Sequence, residues 1–132
     1  MAGSFNRFPE IAAKLHLALA LIVRETATDI RDTYVANAPR RTGWMVSTAY
    51  VSTSEGSTYG QAGSPPTDDA YLLPEVEKPG DDLTAVAAVA ANYAIFPEYG
   101  TRFQPAQPAW VPAVESVRVK FDDRLGAIEG ML

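Results

Sequence analysis

The stretch WVPAVESVRVKFDDRLGAIEGML, residues 110–132, decides what the rest of the chain has to provide. Trp110, Val114, Val117, Phe121, Leu125, Ile128 and Leu132 recur at intervals of 4, 3, 4, 4, 3 and 4, one apolar stripe along a helix. Pro112 suits the first turn of that helix, while Glu115, Arg118, Asp122 and Asp123 occupy its other side. Arg118 and Asp122 form an i,i+4 pair worth a few tenths of a kcal/mol. Each side chain of the stripe contributes roughly 1.5–3 kcal/mol when fully buried, so the helix needs an apolar surface to lie on. The upstream sequence has to supply it.

Working back, Pro9 fits a first helical turn, and Ile11, Leu15, Ala18, Leu19 and Ile22 follow at helical spacing. Ile30 and Tyr34 carry a thinner stripe toward Pro39, the far limit of this helix. Leu15, Leu17, Leu19 and Leu21 also alternate as a strand would, but the alanines and the length favour a helix. Leu17 and Leu21 widen its apolar face, which predicts a helix covered on two sides. Between the helices, Arg40 to Gly43 is turn-like, and Trp44 to Thr53 reads as a strand rich in β-branched and aromatic residues. Gly56 offers a hairpin turn, with Ser57 to Ala62 returning as a short partner strand. Leu83 to Ala91 is a third strand through Val86 and Val89, with helix as its rival because of its alanines. The reading is a single α+β domain over residues 1–132: long N-terminal helix, small antiparallel β-sheet, C-terminal amphipathic helix packed on the sheet.

Composition narrows the chemistry. A chain of 132 residues has room for one core. It has no cysteine and one histidine, so a disulfide scaffold, a thiol nucleophile and a multi-histidine metal centre within one chain are excluded. A net charge of −5 argues against a protein that neutralises many DNA phosphates. The longest apolar run, Leu15 to Val23, includes His16 and is closed by Lys14 and Arg24; a bilayer span needs roughly 20 residues. Glu10 before the run and Arg24-Glu25 after it fit a signal peptide poorly, so cytoplasmic synthesis and no membrane partner are expected.

Charge is unevenly distributed. Residues 1–62 carry a net +1, residues 63–100 carry −6, and residues 101–132 are neutral. The acidic excess therefore falls in and beside Gly63–Asp82, which holds four prolines and six acids against one lysine. One reading is a solvated loop. The other uses its apolar centre, Tyr71, Leu72 and Leu73, as an anchor that docks on a neighbouring chain.

Catalytic signatures are missing. No G-x-S-x-G, G-x-G-x-x-G or G-x-x-x-x-G-K-[ST] pattern occurs, and His16 lies within the apolar run, where a core or interface position is expected. The pairs Asp68-Asp69, Asp81-Asp82 and Asp122-Asp123 have the donor type for Mg²⁺, but two fall in the proline-rich loop and one on a polar helix face. Solvated surface accounts for them. No cofactor is expected.

Two constellations are left over. APRRTGWM, residues 38–45, leads from the first helix into the first strand; YAIFPEYGTR, residues 93–102, precedes Pro105, Pro108, Trp110 and Pro112. Gly43 and Gly100 are placed to supply positive φ at two corners. In this order, Pro39, Thr42, Gly43 and Met45, then Tyr93, Ala94, Glu98, Tyr99, Gly100 and Thr101, then Pro108, Pro112 and Ala113 resemble the tail-component family of long-tailed bacteriophages. These are the neck or tail-completion proteins that join head to tail, and the resemblance covers most of the chain. Pro97 departs from it, standing where the family has a β-branched residue; a short helix through Tyr93 to Tyr99 should be broken there or replaced by a turn. Ala109-Trp110 replaces an aromatic-aliphatic pair, and Gly63–Asp82 is an insertion.

The resemblance implies a structural virion protein: a ring at the head–tail junction, assembled in the host cytoplasm, joining a head-closure or connector protein to the tail tube protein. DNA passes through it unread, and nothing is catalysed. A globule of this length has an equivalent sphere about 36 Å across, and six in a ring leave a hole of roughly 36 Å, wider than a duplex. A hexamer fits best, and a dodecamer stays open. Arg40, Arg41, Thr42, Gly43, Glu98, Tyr99, Gly100, Thr101 and Arg102 are the expected contact residues, because charges of both signs flank the two glycine corners. Tyr71, Leu72 and Leu73 join them. The competing readings are a small adaptor or regulatory module unrelated to virions, and a metal-dependent hydrolase or nuclease built on the acidic pairs.

Overall fold

A computed structural model describes residues 2–40 and 43–131, with side chains over 9–40 and 43–130. The first helix, α1, runs from Ala2 to Asn37 and begins ahead of the expected start. Pro9 lies inside it, at a solvent-exposed position, and removes one rung of the hydrogen-bond ladder. The chain then makes a single helical turn, α2 (Trp44–Ser47), before β1 (Ala49–Thr53), β2 (Gly56–Ser57), β3 (Ala85–Val89), α3 (Ile95–Tyr99) and α4 (Trp110–Met131). The three strands form an antiparallel sheet in the order β2-β1-β3, with Tyr50 opposite Ala88 and Ser52 opposite Val86. Among the described residues no helix is long and apolar enough to cross a membrane.

The fold class is the expected one, α+β with two long helices and a small antiparallel sheet. The helix packs against β1, β3 and α4, and Arg124 of α4 reaches back to it, 2.5 Å from Asp29 Oδ2 and 3.3 Å from Thr26 Oγ1. The stripe on α4 is buried at Val117 and Ile128 and half-buried at Trp110, Val114 and Phe121, whereas Leu125 is exposed; Leu132 lies outside the described residues. Tyr34, Trp44, Met45, Val46, Ala91 and Ala113 form the central cluster. The first strand is corrected at its start, where three of these residues are consecutive. Residues 44–47 instead close one helical turn, with the Ser47 N–H donating to the Gly43 carbonyl at 3.2 Å, and that turn buries Trp44, Met45 and Val46. The hydroxyls of Ser47 and Thr48 hold that turn by donating to the carbonyls of Trp44 and Met45 at 2.5 and 2.6 Å. The strand starts only at Ala49.

The hairpin is shorter than expected and its corner is one step earlier. Thr53 pairs with Gly56, so Ser54 and Glu55 make the turn and Gly56 belongs to β2. Pairing continues to Thr58, which donates its N–H to the Val51 carbonyl and accepts the Val51 N–H on its hydroxyl. Leu83–Ala91 is a strand at its centre, with no helix.

The acidic loop is stitched to the far edge of the sheet. Leu72 bridges Ala91, Leu73 N–H donates to the Ala90 carbonyl at 2.7 Å, and Asn92 clasps the backbone of Asp69 and Tyr71 from both sides. Ala70 is buried in the core and Leu72 packs against it, leaving Tyr71 and Leu73 exposed. Part of the apolar anchor is therefore taken up within the subunit.

Candidate functional site

The start of α4 organises the site. A helix leaves its first four N–H groups without intrahelical partners. Here Ala109 and Trp110 donate to Glu98 Oε1 at 3.0 and 2.8 Å, Val111 donates to Oε2 at 3.0 Å, and Pro112 has no N–H to satisfy. The ladder begins at Ala113, whose N–H reaches the Ala109 carbonyl at 3.2 Å. One carboxylate and one proline complete the cap. Burial pushes the Glu98 pKa up, but the three backbone N–H groups outweigh it and hold the carboxyl below its ordinary range. Glu98, expected at a subunit contact, has both carboxylate oxygens engaged at the start of α4.

Glu98 sits on α3, which corrects the expectation of a broken helix. Pro97 is the third residue of α3, within the first turn, where a missing N–H removes no rung. Its carbonyl accepts from Gln107 N–H at 2.7 Å. Gly100 ends α3 at φ +79, and a Cβ there would stand 2.8 Å from the backbone nitrogen of Ala106. Thr101 and Gln104 pair backbone to backbone at 2.9 and 3.3 Å, while the Thr101 hydroxyl accepts from the N–H groups of Phe103 and Gln104. Arg102 lies 4.8 Å over the Phe103 ring. The EYGTR segment is a rigid hook.

The second constellation meets the first across a cavity of about 620 Å³. Pro39, Gly43 and Met45 of the first segment and Tyr93, Phe96 and Thr101 of the second line it together. Behind the cavity Trp44 and Tyr93 stack with centroids 5.9 Å apart, and Tyr34 meets Trp110 edge-on at 5.5 Å. Burial, followed by the Glu98 charge and by Tyr93, pushes the Tyr34 hydroxyl up to about 12, so it stays neutral. Gly43 has φ +77, and Arg40 is exposed with its guanidinium on the Val35 carbonyl, closing the end of α1. Arg41 and Thr42 lie outside the described residues.

The structure thus draws Gly43 and Thr101 to one cavity, with Tyr99, Gly100 and Arg102 on its hook; Tyr71, Leu72 and Leu73 stand apart at the sheet edge. Sequence reasoning passed over Ile95, Phe96 and Phe103, all exposed. Their signal was large apolar residues in a segment without helical or strand periodicity. His16 is not in the core: it is exposed, its Nε2 3.5 Å from an Asp82 carboxylate oxygen. Asp82 also accepts from Ser54 and lies 3.7 Å from Arg24, while Asp81 caps the Leu83 N–H at 2.8 Å. Among the described residues no three histidine, aspartate or glutamate side chains converge as a metal site requires. Compared with protein-family models, curated proteins and solved structures, the chain gives no match.

Proposed function

We propose that this protein is a structural subunit of a ring at the head–tail junction of a long-tailed bacteriophage, joining head-closure proteins to the tail tube. The observation that carries the reading is the convergence of the two segments resembling the neck and tail-completion family. About fifty residues apart in sequence, they line one cavity together. Their residues hold shape: Gly43 and Gly100 turn corners, Glu98 and Pro112 start α4, and the hook carries exposed rings. That is what a docking surface requires. The net charge of −5 suits a passage through which DNA slides without being gripped.

The subunit is not the sphere of the ring arithmetic. At 1.5 Å per residue, the 36 residues of α1 extend about 54 Å. The width of the opening then depends on how α1 is inclined, and both six and twelve subunits accommodate a duplex. Electron micrographs of the purified full chain at tens of micromolar test the reading. Closed rings with an opening wider than a duplex are expected, and monomers or two-fold dimers at every concentration would contradict it.

A further inference from the structure

Two of the exposed apolar surfaces among the described residues lie along α1, one beyond its C-terminal end and one at its middle. The first is the wall of the cavity and its hook, where Ile95, Phe96, Tyr99 and Phe103 are 56–81% exposed. The cap on Glu98, the corner at Gly100 and the Thr101–Gln104 turn fix these side chains on rigid backbone. A fully exposed aromatic side chain offers about 150–250 Å², so the three rings alone present roughly 400–500 Å² of apolar surface. That matches the largest patch a typical monomer tolerates, and such patches are commonly functional.

The second is the outward face of α1. Leu17 and Leu21, one turn apart, are 68% and 56% exposed, on a stripe shared with Glu10 and Lys14. Residues 9–14 are exposed without exception, so these turns of the helix lie on nothing in the subunit. An unpacked helical extension is marginal in water by propensity alone, and one that carries leucines gains by being covered.

The two surfaces cannot meet within one molecule. Along α1, the midpoint of Leu17 and Leu21 is about 27 Å from Asn37, next to which Pro39 and Gly43 open the cavity. A two-fold dimer through one surface alone leaves the other exposed, while a reciprocal two-fold pairing covers both. A head-to-tail contact covers both at once, and it repeats from subunit to subunit. We propose that the outward face of α1 in one subunit, at Leu17 and Leu21, seats against the Phe96, Tyr99 and Phe103 wall of a second copy. The rings present roughly 400–500 Å², so the rest of the roughly 800 Å² per partner of a stable interface has to come from the proline-lined cavity and neighbouring turns of α1. Arg102 has no carboxylate in salt-bridge range among the described residues, and on the incoming helix the exposed Glu10–Lys14 pair precedes the leucines. The contact stands on these surfaces; only its closure into a ring, as opposed to a filament, rests on the head–tail reading.

The chain has no cysteine, so introduced thiols can be read without background. Leu17→Cys and Phe103→Cys are made in the full chain, purified separately, mixed and oxidised. The expected result is a disulfide-linked dimer in the mixture and in neither variant alone, with a ladder of multimers from the double variant. Linking within Leu17→Cys alone would show two-fold helix pairing and overturn the proposal. A double variant linked no further than a dimer would show the reciprocal two-fold pairing and overturn it as well. Absence of linking in the mixture, while light scattering shows the unmodified protein assembled, would overturn the proposal and leave the ring reading standing. A protein that is monomeric at every concentration would overturn both. As an independent readout, Leu17→Ser and Phe103→Ala should each raise the concentration needed for assembly at least tenfold with an unchanged melting temperature. Assembly at the unmodified concentration in both variants would also overturn the contact.

Discussion

The backbone donors of residues 109–111 would be stranded without Glu98, and the loop from Gly100 to Pro108 would lose its fastening with them. Replacing Glu98 with Gln keeps an acceptor oxygen but removes the charge, and should cost about 1–2 kcal/mol at neutral pH. The sign with pH follows from the depressed carboxyl. Its stabilisation is fully present above the unfolded value, about 4.3, and is lost as pH falls through the lower folded value. Melting curves of the native protein and Glu98→Gln should therefore differ at pH 7 and converge as pH drops below about 4. The two glycine corners separate cleanly in the same assay. Gly43→Ala meets open space and bears only the positive-φ strain, about 1 kcal/mol, whereas Gly100→Ala adds a 2.8 Å approach to Ala106 and should cost about 2–3 kcal/mol. Both corners were legible as glycines beside turn-forming residues. The role of Glu98 was not, because its partners are eleven to thirteen residues away and only the exact start of α4 identifies them.

At the level of elements, periodicity carried the two long helices and the third strand, since each has an apolar face with one dominant neighbour. It failed at Trp44–Ser47, where aromatic and β-branched residues suit a strand but Gly43 at φ +77 and the hydroxyls of Ser47 and Thr48 fix a helical turn. The stripe of α4 allows a quantitative comparison. Val117 is 0% exposed, while Phe121 is half-buried beside a hollow of about 260 Å³ shared with α1 and β3. Val117→Ala should then cost about 2–3 kcal/mol and Phe121→Ala no more than about 2, although it removes the larger side chain; urea titration checks the order. The acidic loop divides in a similar way. Leu72→Ser removes a side chain packed on the core and should lower the melting temperature by several degrees, whereas Leu73→Ser, at an exposed neighbour, should leave it unchanged. Equal effects of the two would mean that the Leu72 side chain is not packed on the core. Its attachment could not be read from four prolines and six acids, because the fastening is backbone pairing with Ala90 and Asn92.

Over the whole molecule, composition said that catalysis was poorly supplied, and the resemblance pointed to a ring. The exposed apolar side chains from which a contact surface is proposed appear only in the three-dimensional structure. Arg40, Glu98 and Arg102 were expected at a subunit contact through charge; Arg40 and Arg102 are exposed, Arg40 also closes α1 and Glu98 starts α4, with exposed apolar side chains around them. Leu17 and Leu21 were expected under cover, and in the subunit they are bare. A surface of this kind is invisible to periodicity, since an apolar residue facing a neighbour has the same spacing as one facing the core. The most direct measurement is made on a phage in which this gene is disrupted. Full heads and finished tails should accumulate unjoined, and purified protein added to the extract should restore joined, infectious particles. Joined infectious particles formed in the absence of the protein would contradict the account.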